Sequence, residues 1–191
     1  MSGYAFTWLK NGGLVGAWDI KPVVGMMPEK VASAMTALGE TLLGASYEPI
    51  AYLGSQVANG INHAVLAEQT MVTAEDHKNI VLMKFNEKGM ECNLFAIEPV
   101  LQEGGMFGGY KINVAVGDDI PDEAMDAFNK VMKNYLGVSV TPIALLASKV
   151  IKGVSMTFAA TVTPVYPNAA TSVQLLTVNA LTNTIDFADV L

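Results

Sequence analysis

The chain has 191 residues, of which 51% are hydrophobic and 15% charged, and its formal net charge is −7. This composition predicts a globular protein with a sizeable core and argues against disorder. All 11 basic residues are lysines. An acidic chain without arginine lacks the basic surface and the guanidinium groups that nucleic-acid binding favours, so we expect no nucleic-acid partner.

A single cysteine, Cys92, rules out an intramolecular disulfide and is typical of a reducing compartment. The first residues have no basic region followed by a long apolar run, although a chain whose leader had been removed would give the same pattern. No apolar stretch approaches the roughly 20 residues that span a bilayer. We therefore expect a cytoplasmic protein without a membrane partner.

The sequence contains an internal repeat. Residues 43–60 and 136–153 are identical at ten of eighteen positions, with a constant offset of 93. Self-similarity at a fixed offset indicates a duplicated structural unit. We predict two repeats, residues 11–102 and 103–191, preceded by an N-terminal arm over residues 1–10.

The first repeat is predicted to hold one helix between strands. After a short strand over residues 14–22, Pro28 occupies a favoured first-turn position. Apolar residues then recur at helical spacing up to Gly44, which predicts a helix over residues 28–43. Near alternation of apolar and β-branched residues follows and predicts four strands, over residues 50–55, 62–73, 80–86 and 92–101.

The second repeat has the same order of elements. A strand over residues 107–116 precedes a helix that is expected to begin at Pro121 and to end at Gly137. Four strands are predicted after it, over residues 141–148, 154–166, 172–179 and 184–190. Pro164 should end the long strand or confine it to an edge. The order favours the α+β class, with each unit as one helix packed on a four- to five-stranded antiparallel sheet.

These features resemble the cystatin family of papain-like cysteine protease inhibitors. The resemblance is carried by a glycine pair before an aromatic residue, by the single helix, and by a hairpin that reads Q-V-x-x-G. In this sequence the glycine pair is followed by Leu14–Trp18, and the hairpin motif occupies residues 56–60. The resemblance implies two tandem cystatin-like units.

The family binds its target through a wedge of three segments that plugs the active-site cleft. The resemblance implies that the protein is a reversible inhibitor of papain-like cysteine proteases. Its third loop lacks the Pro-Trp pair of secreted cystatins, which implies weaker binding. The residues that match the three segments are Gly12, Gly13, Gln56, Val57, Ala58, Asn59, Gly60, Asn86, Glu87, Lys88 and Gly89.

The second repeat matches the motif less well. Its loop, residues 149–153, keeps valine and glycine but replaces the glutamine and adds two lysines. The first repeat is therefore the expected inhibitory unit. The pattern is equally compatible with a non-inhibitory structural or protein-interaction module, because any tight hairpin favours glycine in its turn and valine in its strands.

Enzymatic motifs are absent from the sequence. It contains no G-x-S-x-G or Walker motif, and His63 and His77, its two histidines, are not accompanied by other ligands at metal-binding spacing. We expect a protein that is not an enzyme and needs no cofactor or metal. The sequence leaves the oligomeric state open.

Overall fold

The computed structural model describes residues 16–42, 44–72, 77–104 and 109–191. Within these ranges the chain forms two five-stranded antiparallel sheets. The first sheet has the order β1-β2-β3-β4-β5. Its elements are β1 (Trp18–Val23), α1 (Glu29–Thr41), β2 (Ala45–Val57), β3 (Ile61–Met71), β4 (His77–Lys88) and β5 (Glu91–Gln102).

The second sheet has the order β10-β9-β8-β7-β6. Its elements are β6 (Lys111–Val116), a 3₁₀ turn (Gly117–Asp119), α2 (Asp122–Met132), β7 (Val138–Val150), β8 (Val154–Pro164), β9 (Ser172–Asn179) and β10 (Thr184–Asp189). In each sheet, neighbouring strands along the chain pair as hairpins, with the helix inserted between the first two strands.

Both predicted helices are confirmed, with shorter bounds. Each begins directly after its proline, Pro28 or Pro121, because a fixed φ near −65° suits a helix start and the missing N–H needs no partner there. Acidic side chains occupy the first turn of each helix, where they complement the helix dipole. β8 ends at Pro164, as the sequence predicted.

The largest hydrophobic core lies between the two sheets. It joins Leu53, Leu66 and Leu82 of the first sheet to Leu146 and Ala159 of the second. Two smaller cores lie on the opposite faces, one under α1 and one under α2. The layers therefore follow the order helix, sheet, sheet, helix.

The expected fold class, α+β with two tandem cystatin-like helix-on-sheet units, is wrong. Of the residues that the structure describes, 60% are in strands and 16% in helices, and the strands form two five-stranded antiparallel sheets. The physical reason lies in the buried runs 64–67 and 143–147, in which every residue is buried, so the side chains on both faces are covered. The prediction gave each sheet only one packed face. Whether the two repeats behave as separate domains stays a prediction.

Glu103, which follows β5, links the two sheets. The Glu103 carboxylate accepts hydrogen bonds from the backbone N–H of Lys78, at 2.9 Å, and of Ile112, at 3.4 Å. One side chain thus connects β4 of the first sheet to β6 of the second. Among the described residues, no helix is both long and apolar enough to cross a membrane.

Candidate functional site

The two hairpin turns named by the sequence lie side by side at one end of the first sheet. Ile61 of β3 is paired with Glu87 of β4, so the β2–β3 and β4–β5 turns neighbour each other. The Nζ atom of Lys88 donates a hydrogen bond to Oδ1 of Asn59 across the two turns, at 3.4 Å. We call residues 56–60 and 86–90 together the tip surface.

The β2–β3 turn needs its asparagine and glycine. Asn59 has φ 42° and Gly60 has φ 115°, and the backbone N–H of Ala58 donates to the carbonyl of Gly60 at 3.1 Å. A Cβ atom on Gly60 would collide with the backbone oxygen of Glu87. Glycine at this position therefore permits both the turn and the close approach of the second hairpin.

The chain that leads into β1 runs beside the first hairpin. Trp18 pairs with Gln56, whose Nε2 donates to the carbonyl oxygen of Gly16 at 2.6 Å. Asn62 donates to the oxygen of the Gln56 amide at 2.9 Å, and Asn86 donates to Asn62 at 2.7 Å. A line of side-chain amides thus ties three segments together. Gly12 and Gly13, the predicted trunk, lie outside the described residues.

The tip surface exposes apolar side chains. Val57 is 56% exposed, and Met90, which the sequence analysis did not single out, is 91% exposed. Asn59, Lys88 and Gly89 are also exposed. The structure therefore brings residues 56–60 and 86–89 together at one accessible end of the first sheet.

A polar network connects α1 to the β4–β5 turn. Nζ of Lys30, in the first turn of α1, lies 2.7 Å from Oε1 of Glu87 and donates to the carbonyl oxygen of Gly89 at 2.8 Å. The other carboxylate oxygen of Glu87 lies 3.2 Å from Nε2 of the buried His63. Nδ1 of His63 lies 2.9 Å from the hydroxyl of Tyr52.

The pKa values of Glu87 and Tyr52 are shifted in this network. The hydrogen bond from Lys30 holds the pKa of Glu87 below its ordinary value against the opposing effect of desolvation, and His63 adds to the lowering. An ionised Glu87 requires a proton on Nε2 of His63, so in the neutral ring Nδ1 accepts from Tyr52. Burial raises the pKa of Tyr52, which keeps that phenol a hydrogen-bond donor.

Cys92 lies near this network and is half-buried. Burial raises the pKa of its thiol, and the negative charge of Glu87 raises it further. A thiol of this kind stays protonated at neutral pH and is a poor nucleophile.

The second repeat does not reproduce the network. At the same offset, Met156 and Ala180 replace His63 and Glu87. Nζ of Lys149, which replaces the glutamine of the motif, lies 3.2 Å from the hydroxyl of Tyr110 and 4.7 Å from the centre of its ring. Burial alone would raise the pKa of Tyr110, but hydrogen bonds, first from Lys149, outweigh it and lower that pKa.

Sequence reasoning missed Lys30 and His63 as parts of this site. Lys30 is separated from Glu87 by 57 positions, and His63 was considered only as a metal ligand. The pairing of His63 with Phe85 on a neighbouring strand brings its ring to the same sheet face as Glu87. In the part of the chain that the structure describes, no three His, Cys, Asp or Glu side chains group as a metal site would require.

Comparisons with known proteins found no relative. No protein-family model matches the chain, and no curated protein or solved structure matches it.

Proposed function

We propose that the protein is a reversible inhibitor of papain-like cysteine proteases and that the tip surface enters the protease's active-site cleft. The observation that supports this most directly is the convergence of two exposed turns with the segment that leads into β1. Gln56 bonded to Gly16, and Lys88 bonded to Asn59, hold the three segments together. A cleft-filling inhibitor requires such a row of loops at one end of the molecule.

The chemistry of the tip surface suits a cleft. Val57 and Met90 offer exposed apolar surface, and the small residues Ala58, Gly60 and Gly89 let the backbone approach a partner closely. The hydrogen bonds of Lys30, Gln56 and Lys88 fix the turns before binding. Binding then loses less conformational entropy than it would with free loops.

The proposal includes Gly12 and Gly13 as the third binding segment. Gly12 and Gly13 precede Gly16, whose carbonyl oxygen is already bonded to the first hairpin. We assign the inhibitor to the cytoplasm, where a chain with one cysteine and no disulfide would remain reduced.

The test is a titration of papain with the full chain, in which the activity of papain is measured as the rate of hydrolysis of a small substrate. The native chain should inhibit reversibly. Val57→Glu should weaken inhibition by about tenfold or more, because it places a charge where an apolar contact is expected. Val150→Glu provides the matched control, since Val150 is the equivalent exposed residue of the second repeat.

Two outcomes would contradict the proposal. The first is a folded native chain that leaves papain fully active at high micromolar concentration. The second is equal inhibition by the native chain and by Val57→Glu. Binding to the protease without loss of its activity would instead favour a protein-interaction module.

A further inference from the structure

The corresponding end of the second sheet exposes a larger apolar surface. We call residues 149–154 and 179–184, the β7–β8 and β9–β10 turns, the second tip. Val150 is 72% and Leu181 75% exposed, and Ile151 and Val154 are about half exposed. A Cβ atom on Gly153 would come within 2.9 Å of the Leu181 side chain, so the two turns are in contact. The exposed apolar residues therefore form one patch.

The second tip is basic, although the protein is acidic. Lys149 and Lys152 lie in the first turn, and neither turn contains an aspartate or a glutamate. Lys111 of β6 is paired with Ser148, next to this turn. Nζ of Lys130 donates to the carbonyl oxygen of Ala180 in the second turn, at 2.9 Å. Four of the protein's lysines thus surround the apolar patch.

Two neighbouring pockets lie where residues of the two sheets meet, and we call them together the seam groove. Val24, in the segment after β1, lies in both of its parts. One part has a volume of about 460 Å³ and reaches Ile120 and Pro142 of the second sheet's half. The other, of about 340 Å³, contains Glu48 and Glu68.

The charged side chains that line this seam groove, among the described residues, are both carboxylates. Both lie in the pocket of about 340 Å³. Glu68 is paired with Lys78 at 2.7 Å. Glu48, whose charge also raises the pKa of Lys78, forms no ion pair with any described residue. The remainder of the lining is mainly apolar. The groove therefore suits an apolar partner that carries a positive charge.

The second tip and the seam groove lie far apart on the same molecule. Pro142, in the groove, precedes Val150, at the tip, by eight residues on β7, which corresponds to roughly 26 Å of strand. A chain therefore presents its basic tip at one end of the second sheet and its acidic groove toward the other. A second copy, stacked end to end, can bring the two surfaces together.

We propose that the protein self-associates head to tail, with the second tip of one copy seated in the seam groove of the next. The contact pairs Val150 and Leu181 with the apolar lining of the groove. It also brings Lys152 toward Glu48. Such a contact is heterologous, so each copy keeps one free tip and one free groove, and association continues into linear oligomers unless the rotation between copies closes a ring. This inference is independent of protease inhibition, which uses the first repeat's tip surface.

The experiment is sedimentation velocity of the full chain at rising concentration and at two salt concentrations. The native chain should show a mass that grows with concentration and falls with added salt, because salt screens the exposed charges. Lys152→Glu and Glu48→Lys should each raise the concentration needed for association by about tenfold or more. Lys88→Glu, the same charge reversal at the first tip, should not.

Charge exchange separates this contact from a general effect of net charge. The double variant Lys152→Glu with Glu48→Lys should associate more strongly than either single variant, because opposite charges face each other again. An equimolar mixture of the two single variants should likewise associate more strongly than either variant alone, because each variant's tip then meets a groove of opposite charge on the other variant. Circular dichroism of each variant confirms that it is folded.

A native chain that keeps the mass of one copy at every concentration would overturn the proposal. So would association that Lys152→Glu and Leu181→Ser leave unchanged, because the contact would then lie elsewhere. Equal weakening by Lys152→Glu and Lys88→Glu would also contradict it, since the effect would then follow net charge.

Discussion

Lys30 at the start of α1 reaches the second hairpin and bonds both to the carboxylate of Glu87 and to the carbonyl oxygen of Gly89. A single side chain thus connects the helix to the turn that the proposed function places in a protease cleft. Gly89 and Met90 in this turn are exposed, and its neighbour Lys88 bonds to Asn59 of the adjacent turn at 3.4 Å, a longer contact than those of Lys30. The position of this turn should therefore depend on Lys30.

Replacing Lys30 by methionine should loosen the β4–β5 turn without unfolding the chain. Methionine keeps the length and the apolar stem of lysine but cannot donate to Glu87 or Gly89. Backbone amide hydrogen exchange at residues 88–91 should become faster, and the inhibition constant should rise. Lys84→Met is the control, because it removes the ion pair of Lys84 with Glu98, which lies away from the turn. Equal exchange in both variants would show that Lys30 does not hold the turn.

The stability that Glu87 contributes should be lost in acid. Its pKa is lower in the folded protein than its ordinary value of 4.5, so the ionised form is favoured by folding. That contribution is fully present above 4.5 and disappears as the pH falls through the lowered folded-state pKa. The native chain should be more stable than Glu87→Gln at neutral pH, and the difference should shrink below pH 4.5. Urea unfolding of both proteins across this range measures it, and a difference that grows in acid would contradict the sign.

Gly60→Ala should destabilise the first hairpin. Gly60 has φ 115°, and a Cβ atom there would collide with the backbone oxygen of Glu87, so we expect a loss of about 1–3 kcal/mol in the free energy of unfolding. Gly89→Ala is the control, because its φ is 62° and nothing lies within 4 Å of the added atom. Its cost should be about 1 kcal/mol. Equal losses in the free energy of unfolding at the two positions would mean that the second hairpin moves to accommodate the added atom.

The two sheets should unfold together, because they share a core. Leu146 of the second sheet is fully buried against residues of the first, so Leu146→Ala should cost about 2–5 kcal/mol. Both tryptophans, Trp8 and Trp18, lie in the first part of the chain. The unfolding midpoint measured by tryptophan fluorescence should fall in Leu146→Ala by as much as the midpoint measured by circular dichroism of the whole chain. Leu136→Ala, at a residue that is 90% exposed, should change stability by less than about 0.5 kcal/mol. Separate transitions for the two signals would show independent domains.

Tyr110 should ionise at a lower pH than Tyr52. Its pKa lies below the ordinary value of 10.0, whereas that of Tyr52 lies above it. Below pH 10, Tyr110→Phe should therefore remove more of the phenolate absorbance than Tyr52→Phe does, and the part that it removes is the titration of Tyr110. Lys149→Met should move it to higher pH, because the hydrogen bond that favours the phenolate is lost. A curve that Lys149→Met leaves unchanged would contradict the assignment.

Local sequence patterns predicted the elements that local physics controls. Pro28 and Pro121 start the two helices, and Asn59-Gly60 forms the expected turn, because backbone preferences act over a few residues. The network of the site was not predicted. Lys30, His63 and Glu87 come from three elements, and no spacing rule along the chain relates them.

The fold class was missed for a similar reason. The apolar runs 64–67 and 143–147 do not alternate, which is typical of strands buried on both faces. We predicted that each sheet packs against one helix, which accounts for only one of its faces. The second partner is the other sheet, which lies too far along the chain for a local periodicity to indicate it.

The sequence by itself determined the repeat, the order of strands and helices, and the acidic, arginine-free composition, since each is a property of residues or of their near neighbours. The tertiary structure alone decided that Leu66 packs against the second sheet, that contact with Lys30 lowers the pKa of Glu87, and that lysines gather around an apolar tip. Side-chain packing and electrostatics act through space over a few ångströms. Which residues come that close is decided only when the two sheets pack against each other.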